Sequence, residues 1–305
     1  MKRFALLTAG CLTLGLVCSA SAHKGPLNNV FQWPAGLEPT LDGDLSEWNI
    51  VPEDYFVGPD KHFDIVNGQG FNMNPADLSI RCVISWSANT NRLYYSQVRF
   101  DDYYDRDGGD GAAGGDDSWE VAIDSDHAGE SIYVTADEVA DEKERELAQG
   151  RFAQTSHDRF PPLPPFGWKW FWMSTSTWHD QKPWADYGFK LDGKLNDGEA
   201  TAYIEMMSAA WDDFNFHGPE LSVLHTFKEG EIIGLGWGII DHDADTQGGN
   251  YDAWWGYPGD GDQWRTAATI GDWFLAPVDP RVDFSKLSTA VEAESWGRIK
   301  AVFVQ

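Results

Sequence analysis

Residues 92–130 read R-L-Y-Y-S-Q-V-R-F-D-D-Y-Y-D-R-D-G-G-D-G-A-A-G-G-D-D-S-W-E-V-A-I-D-S-D-H-A-G-E, and the fold turns on how they are read. Two runs with strand-like alternation enclose a stretch crowded with Asp and Gly. In 93–100, Tyr94, Val98 and Phe100 fall on one face, and Gln97 and Arg99 on the other. In 119–124, Trp119, Val121 and Ile123 share a face, and Glu120 and Asp124 share the opposite one. Side chains alternate across a strand, so a half-buried antiparallel pair accounts for both patterns. The stretch between them is too rich in Gly and Asp to be a packed element. It is a loop suited to a cation, to a polar ligand, or to water alone.

Working outward, Leu78, Ile80, Cys82, Ile84 and Trp86 alternate over 78–86, and 88–91 (A-N-T-N) reads as the hairpin turn into 93–100. Upstream, Asp42-Gly43 is a turn, 44–48 a short capped helical piece, and 54–75 loop-like. Downstream, 132–135 reads as a strand. Residues 137–149 read as a surface helix stopped by Gly150. The run Pro161-Pro-Leu-Pro-Pro165 is a rigid spacer. Residues 168–173, 187–191, 200–207, 232–240 and 266–275 continue the β pattern. In the fourth of these Ile233, Leu235, Trp237 and Ile239 alternate with glycines. The expected fold is therefore all-β, a two-sheet antiparallel β-sandwich (immunoglobulin/jelly-roll-like) with one inserted surface helix.

The first 22 residues read as a signal peptide: Lys2 and Arg3, then an apolar stretch, then Ala20-Ser21-Ala22 before His23. The apolar run is too short for a membrane span. An exported chain, extracellular or periplasmic, would keep 283 of the 305 residues. The expected layout is one domain over 23–283, with an insertion at 135–165, and a tail over 284–305. Of three cysteines only Cys82 would remain, which leaves no internal disulfide and points to a buried, inert thiol.

Twenty-two basic residues against 49 acidic give a net charge of −27, which repels nucleic acid and favours cations. Sixteen tryptophans exceed the needs of a core this size, so some are expected on the surface, stacked on a ligand.

Four segments together resemble the family 9 carbohydrate-binding modules and the wider DOMON-like superfamily. They are Leu41-Asp-Gly-Asp-Leu-Ser-Glu-Trp48, Leu93-Tyr-Tyr-Ser-Gln-Val-Arg-Phe-Asp-Asp102, Asp117-Ser-Trp-Glu-Val-Ala-Ile-Asp124, and Ala202-Tyr-Ile-Glu205 with 234–243. The resemblance covers roughly 38–275. It implies a sandwich, structural calcium, and a slot where two aromatics grip a sugar. Trp254 or Trp255 occupies the late position. Tyr103 or Tyr104 stands where the partner tryptophan is expected, which departs from the family pattern.

Read from the residues, Asp105, Asp107 and Asp110 before tight glycines, and Asp241, Asp243 and Asp245, are candidate calcium ligands, because hard cations take several oxygens from short loops. The alternative is an acidic, solvated loop. Trp254, Trp255 and Tyr257 lie among Gly, Asn and Asp and are expected in a loop, free to stack on sugar C–H faces, with Asn250, Asp252 and Gln263 bonding hydroxyls. Trp168, Trp170 and Trp172 share a strand face as either core or platform. His242 reads as a solvated loop residue. No pair of carboxylates stands out for glycosidic chemistry and Gly-x-Ser-x-Gly is absent. The expectation is a non-catalytic carbohydrate binder, not an enzyme. The alternatives are a DOMON-type haem domain using one of Met73, Met173, Met206 or Met207, or an interaction module of a surface complex.

Overall fold

The computed structural model describes residues 23, 26–106, 116–132, 134–159, 167–170, 178–243, 252–258 and 266–287. In chain order the strands are β1 (Asn28–Gln32), β2 (Phe63–Asp64), β3 (Leu78–Ser87), β4 (Arg92–Asp101), β5 (Ser118–Asp124), β6 (Gln154–Arg159) and β7 (Gly167–Trp170). They continue as β8 (Ala185–Gly193), β9 (Ala200–Ser208), β10 (Trp211–Asp213), β11 (Val223–Leu224), β12 (Ile232–Asp241), β13 (Ala253–Tyr257) and β14 (Gly271–Leu275). The one α-helix among the described residues, α1 (Glu142–Ala148), is capped by Asp141 and is shorter than the expected 137–149.

One layer runs β7-β6-β5-β12-β14-β1, with β13 and then β2 continuing beside the far half of β12. The other runs β1-β3-β4-β9-β8. Strand β1 belongs to both: Asn28–Val30 lies parallel to β14, and Phe31 and Gln32 lie parallel to β3. The sheet is mixed, which corrects the purely antiparallel expectation.

The antiparallel pair expected of 93–100 and 119–124 does not form. Strands β4 and β5 are not paired. β4 lies between β3 and β9, and β5 between β12 and β6, so the chain after β4 crosses from one layer to the other. Trp119 meets Tyr95 across the interior, ring centroids 6.2 Å apart. On β4 the alternation is as expected but the inward face is the other one. Leu93 and Tyr95 point into the main core and Gln97 and Arg99 are buried, while Val98 and Phe100 stay half-exposed.

The main core takes Ile80, Cys82, Ile84, Trp86, Ile204 and Met206 from one layer, and Val121, Ile123, Ile233, Leu235, Trp237 and Ile239 from the other. Eight of the sixteen tryptophans are buried, and Trp178, Trp184 and Trp254 are half-buried, so much of the aromatic surplus fills the sandwich. Burial pushes the Cys82 thiol up to about 12, in keeping with an inert residue.

The outer face of β3 and β4 is covered by the 33–56 segment, where Trp33 and Trp48 pack edge-to-face. Phe284 and Leu287 pack there too. This segment is pinned to β9 by Glu205, which accepts from Asp42 N at 3.0 Å, Gly43 N at 2.8 Å and Trp48 Nε1 at 2.8 Å. Gly43 is required at that contact: its φ is +79° and a Cβ would meet Phe189 C at 2.5 Å. Among the described residues of 132–135 there is no strand; Ile132 is buried against Ala122 of β5, Ala153, Ala267 and Ile270.

Candidate functional site

Five strand ends converge at one end of the sandwich: those of β4 (Asp101, Asp102), β5 (Asp117), β12 (Asp241, Asp243), β3 (Asp77) and β13 (Asp252). Arg99 points into this group. Its Nε and Nη2 donate to Asp101 Oδ2 at 2.9 and 2.6 Å, Nη2 also to Asp117 Oδ1 at 2.6 Å, and Nη1 to Ile240 O at 3.0 Å. Burial alone would lower the Arg99 pKa, but Asp117 and Asp101 hold the guanidinium firmly charged. Three carboxylates surround this one cation, counting Asp241 at 3.6 Å. Burial pushes Asp117 and Asp241 well above the usual carboxylate range, further than Arg99 pulls them down.

Asp105 and His242 complete this buried network. Asp117 accepts from Asp105 N at 2.7 Å and His242 N at 2.9 Å, and His242 Nδ1 lies 2.7 Å from Asp105 Oδ2. His242 is 2% exposed, so the solvated-loop expectation for it is corrected. Asp105 is tied inward and buried. Asp107, Asp110 and Asp245 lie outside the described residues.

Beside the Arg99 group, carboxylate oxygens of Asp77, Asp102 and Asp243 all lie within 4.8 Å of one another. Burial and then like charge raise all three, Asp243 to about 6, with Asp102 and Asp252 its largest charged neighbours. Mutually repelling oxygens on three separate strand ends form a donor set that fits a hard divalent cation. Asp243 was legible as a candidate. Asp77 and Asp102 were not, since topology alone brings them to it.

The expected aromatic grip is rearranged. Residues 253–257 are a strand, not a loop, because Ala253–Tyr257 pairs with Asp241–Trp237 of β12. Trp255 and Tyr257 therefore point into the core, 2% and 7% exposed, and offer no face to a ligand. Tyr104 is likewise buried, with the Arg99 and Arg106 guanidinium carbons 5.3 and 5.4 Å from its ring. Tyr103 is half-buried and donates to Asn196 O at 2.9 Å. Trp254 alternates to the other face of β13 from Trp255 and is half-buried. Asn250 and Gln263 lie outside the described residues, as does Trp172. Trp168 and Trp170 sit on β7, which pairs with β6 at the edge of the layer. Met73 and Met206 are core residues, and Met173 is outside the described set.

An aromatic group that the sequence reading passed over stands next to Trp254. Strand β2 pairs with β13, and Ile65 N donates to Trp254 O at 2.9 Å. The following turn is built on buried Asp64, which accepts from Val66 N at 3.0 Å, Asn67 N at 3.0 Å and Gln69 N at 2.9 Å. That turn presents Phe71, 58% exposed, edge-on to Phe63 with centroids 5.2 Å apart. Asn67 Nδ2 donates to Asp252 O at 2.5 Å, which ties the turn to the carboxylate end. The available signal was an exposed-type Phe among Asn, Gln and Gly in 67–74.

Among the described residues no helix is long and apolar enough to cross a membrane. No protein-family model and no curated protein matches the chain. Solved structures do resemble it. The fold is similar to that of family 9 carbohydrate-binding modules. One is a module from Caldicellulosiruptor kristjanssonii in complex with cellotriose: 12% identity, 83% of this chain, 96% of that chain, TM-score 0.47. A module from the same organism in complex with glucose gives 12%, 85%, 100% and 0.45. A putative carbohydrate-binding protein from Bacteroides uniformis gives 9%, 83%, 100% and 0.39.

Proposed function

We propose that this chain is an exported, non-catalytic carbohydrate-binding domain whose sugar face is braced by a calcium ion. The observation that carries the reading is the Asp64 turn, which holds exposed Phe71 against Phe63, beside Trp254. Sugars present C–H patches that stack on aromatic rings, while amides bond their hydroxyls. Asn67, Gln69 and Asn72 supply amides on the same turn. A turn whose backbone donors are already satisfied by a buried carboxylate loses little freedom on binding, which favours affinity.

Calcium belongs at Asp77, Asp102 and Asp243 on the same end. Bound there, it would neutralise the mutual repulsion and fix the ends of β3, β4 and β12. Asp252, which accepts from Asp243 N at 2.7 Å, is the link from that group to the Asn67 turn.

The test is a glycan array run with and without calcium, followed by affinity electrophoresis on the best ligand. Phe71→Ala and Trp254→Ala are each expected to abolish most retention, and Asp102→Asn to make it independent of calcium. Retention unchanged in both aromatic variants would remove this face from consideration.

A further inference from the structure

At the opposite end of β5, on the outer face of its layer, three strands place Asp124, Gly234 and Asp272 in one row: Gly234 is paired with Asp124 on one side and Asp272 on the other. The His23 imidazole lies over Gly234. A Cβ on Gly234 would meet His23 Cε1 at 2.5 Å, so the glycine is the slot for the ring. His23 is 4% exposed. Its Nε2 is 2.9 Å from Asp124 Oδ2, and its Nδ1 is 3.0 Å from Asp272 Oδ1. His127 comes from the other side. Its Nε2 lies 2.8 Å from that same Asp272 oxygen, and the two imidazoles meet edge-on at 4.4 Å. His127 holds a φ of +60°, a left-handed backbone uncommon for a residue with a side chain.

We infer that His23, once exposed as the N-terminal residue by cleavage after Ala22, forms with His127 and Asp272 a copper(II) site. The inference rests on the export reading and is independent of the sugar face. A ring nitrogen of His23, a ring nitrogen of His127 and an Asp272 oxygen already lie within 4.8 Å of one another, and His23 Nδ1 and His127 Nε2 both reach Asp272 Oδ1. Cleavage adds a fourth donor, because the α-amino nitrogen and Nδ1 of an N-terminal histidine close a six-membered ring on a metal. Two imidazoles, an amine and a carboxylate form a nitrogen-rich tetragonal set, and among first-row divalent ions copper binds such sets most tightly.

Asp124 supplies the outer partner such a site needs. Metal-ligating histidines characteristically donate their other ring N–H to a carboxylate, which fixes the tautomer. With His23 Nε2–H donating to Asp124, the Nδ1 lone pair faces His127 and Asp272. Asp124 is itself held by Gly129 N at 2.7 Å and Ala128 N at 3.3 Å, so the segment carrying His127 is anchored to the same carboxylate. It is a positioning residue and not a ligand.

The experiment titrates copper(II) into the secreted protein, its N-terminus established by intact mass, against a competing chelator, with electron paramagnetic resonance as the second readout. The expected result is one equivalent bound, with nitrogen hyperfine structure. Retaining Ala22 turns the amine into an amide and should weaken binding at least 100-fold, while His127→Ala should weaken it at least tenfold. Gly234→Ala, which pushes out the ring, should abolish the site, with circular dichroism reporting whether the sheet survives. A mature N-terminus other than His23 overturns the proposal. So does equal copper affinity with and without Ala22, or the absence of one-to-one binding; either makes His23 only a hydrogen-bonded tie between two carboxylates.

Discussion

Strand β5 begins beside one charged group, at Asp117, and ends in another, at Asp124, roughly 23 Å away at about 3.3 Å per residue. At the Asp117 end carboxylates crowd around Arg99, with His242 bonded to Asp105 behind them, and burial raises Asp117 and Asp241. At the Asp124 end imidazoles meet carboxylates. Burial opposes ionisation there too, but donors from His23 and Gly129 outweigh it and bring Asp124 below its usual range. Its neighbour Asp126 goes the other way, up to about 7, through burial and then Asp124 itself. One strand thus joins an oxygen-rich end suited to a hard ion and a nitrogen-bearing end suited to a borderline one. Asp117 accepts three donors and is raised all the same, so donors alone do not fix the sign of a buried carboxyl's shift.

The sharpest way to break this contrast is Arg99→Met. It leaves Asp101, Asp117 and Asp241 buried without their cation, and should cost about 3–5 kcal/mol in urea unfolding. Copper affinity at the far end should stay within about twofold, since well-separated sites act independently. A change at both ends would show that they are not separate.

Calcium gives the next largest effect. Asp77, Asp102 and Asp243 are raised above the ordinary 3.8, Asp243 to about 6. Raised folded-state values mean that their contribution to stability is present below 3.8 and is lost as pH rises through about 6. The Tm of calcium-free protein should therefore fall across that window. Calcium at a hundred times its Kd should restore about 2.7 kcal/mol above it and do little below. A flat calcium-free profile, or calcium stabilisation equal at pH 4 and pH 7, would count against the cluster.

Glu205→Ala separates both ends from the scaffold. It removes a carboxylate with three donors and should cost about 1.5–3 kcal/mol by urea unfolding while leaving both metal titrations unchanged. The smallest effect is on the sugar face. Phe71→Ala should change stability by less than about 0.5 kcal/mol, because the ring is mostly in solvent, yet reduce glycan retention.

Much of the scaffold was legible because it depends on period. The 78–86 and 93–100 hairpin, the Ile/Leu/Trp/Ile alternation with glycines in β12 and the Asp44 cap all appear where the residues put them. Period does not say which neighbour a strand takes, so 93–100 and 119–124 read as partners and lie in opposite layers. It also misled on the inward face of β4, where Gln97 reaches Cys82 Sγ at 3.5 Å and Arg99 the acid cluster, so polar side chains occupy core positions. Gly256 within 253–257 made a paired strand look like a loop. The charged groups were least legible. His23 meets Asp124 across 101 residues and Asp272 across 249, a proximity that lateral strand order creates and linear spacing does not record.

The shared strand β1 has a consequence for how the molecule is made. Asn28 pairs with Trp273, so during synthesis the edge of β1 stays unsatisfied until residues about 240 positions later have been made. Until β14 arrives, the two layers have no common seam. Closure of that seam and docking of His23 on Asp272 then become a single late event, and truncation just before β14 should leave an unstitched pair of half-layers.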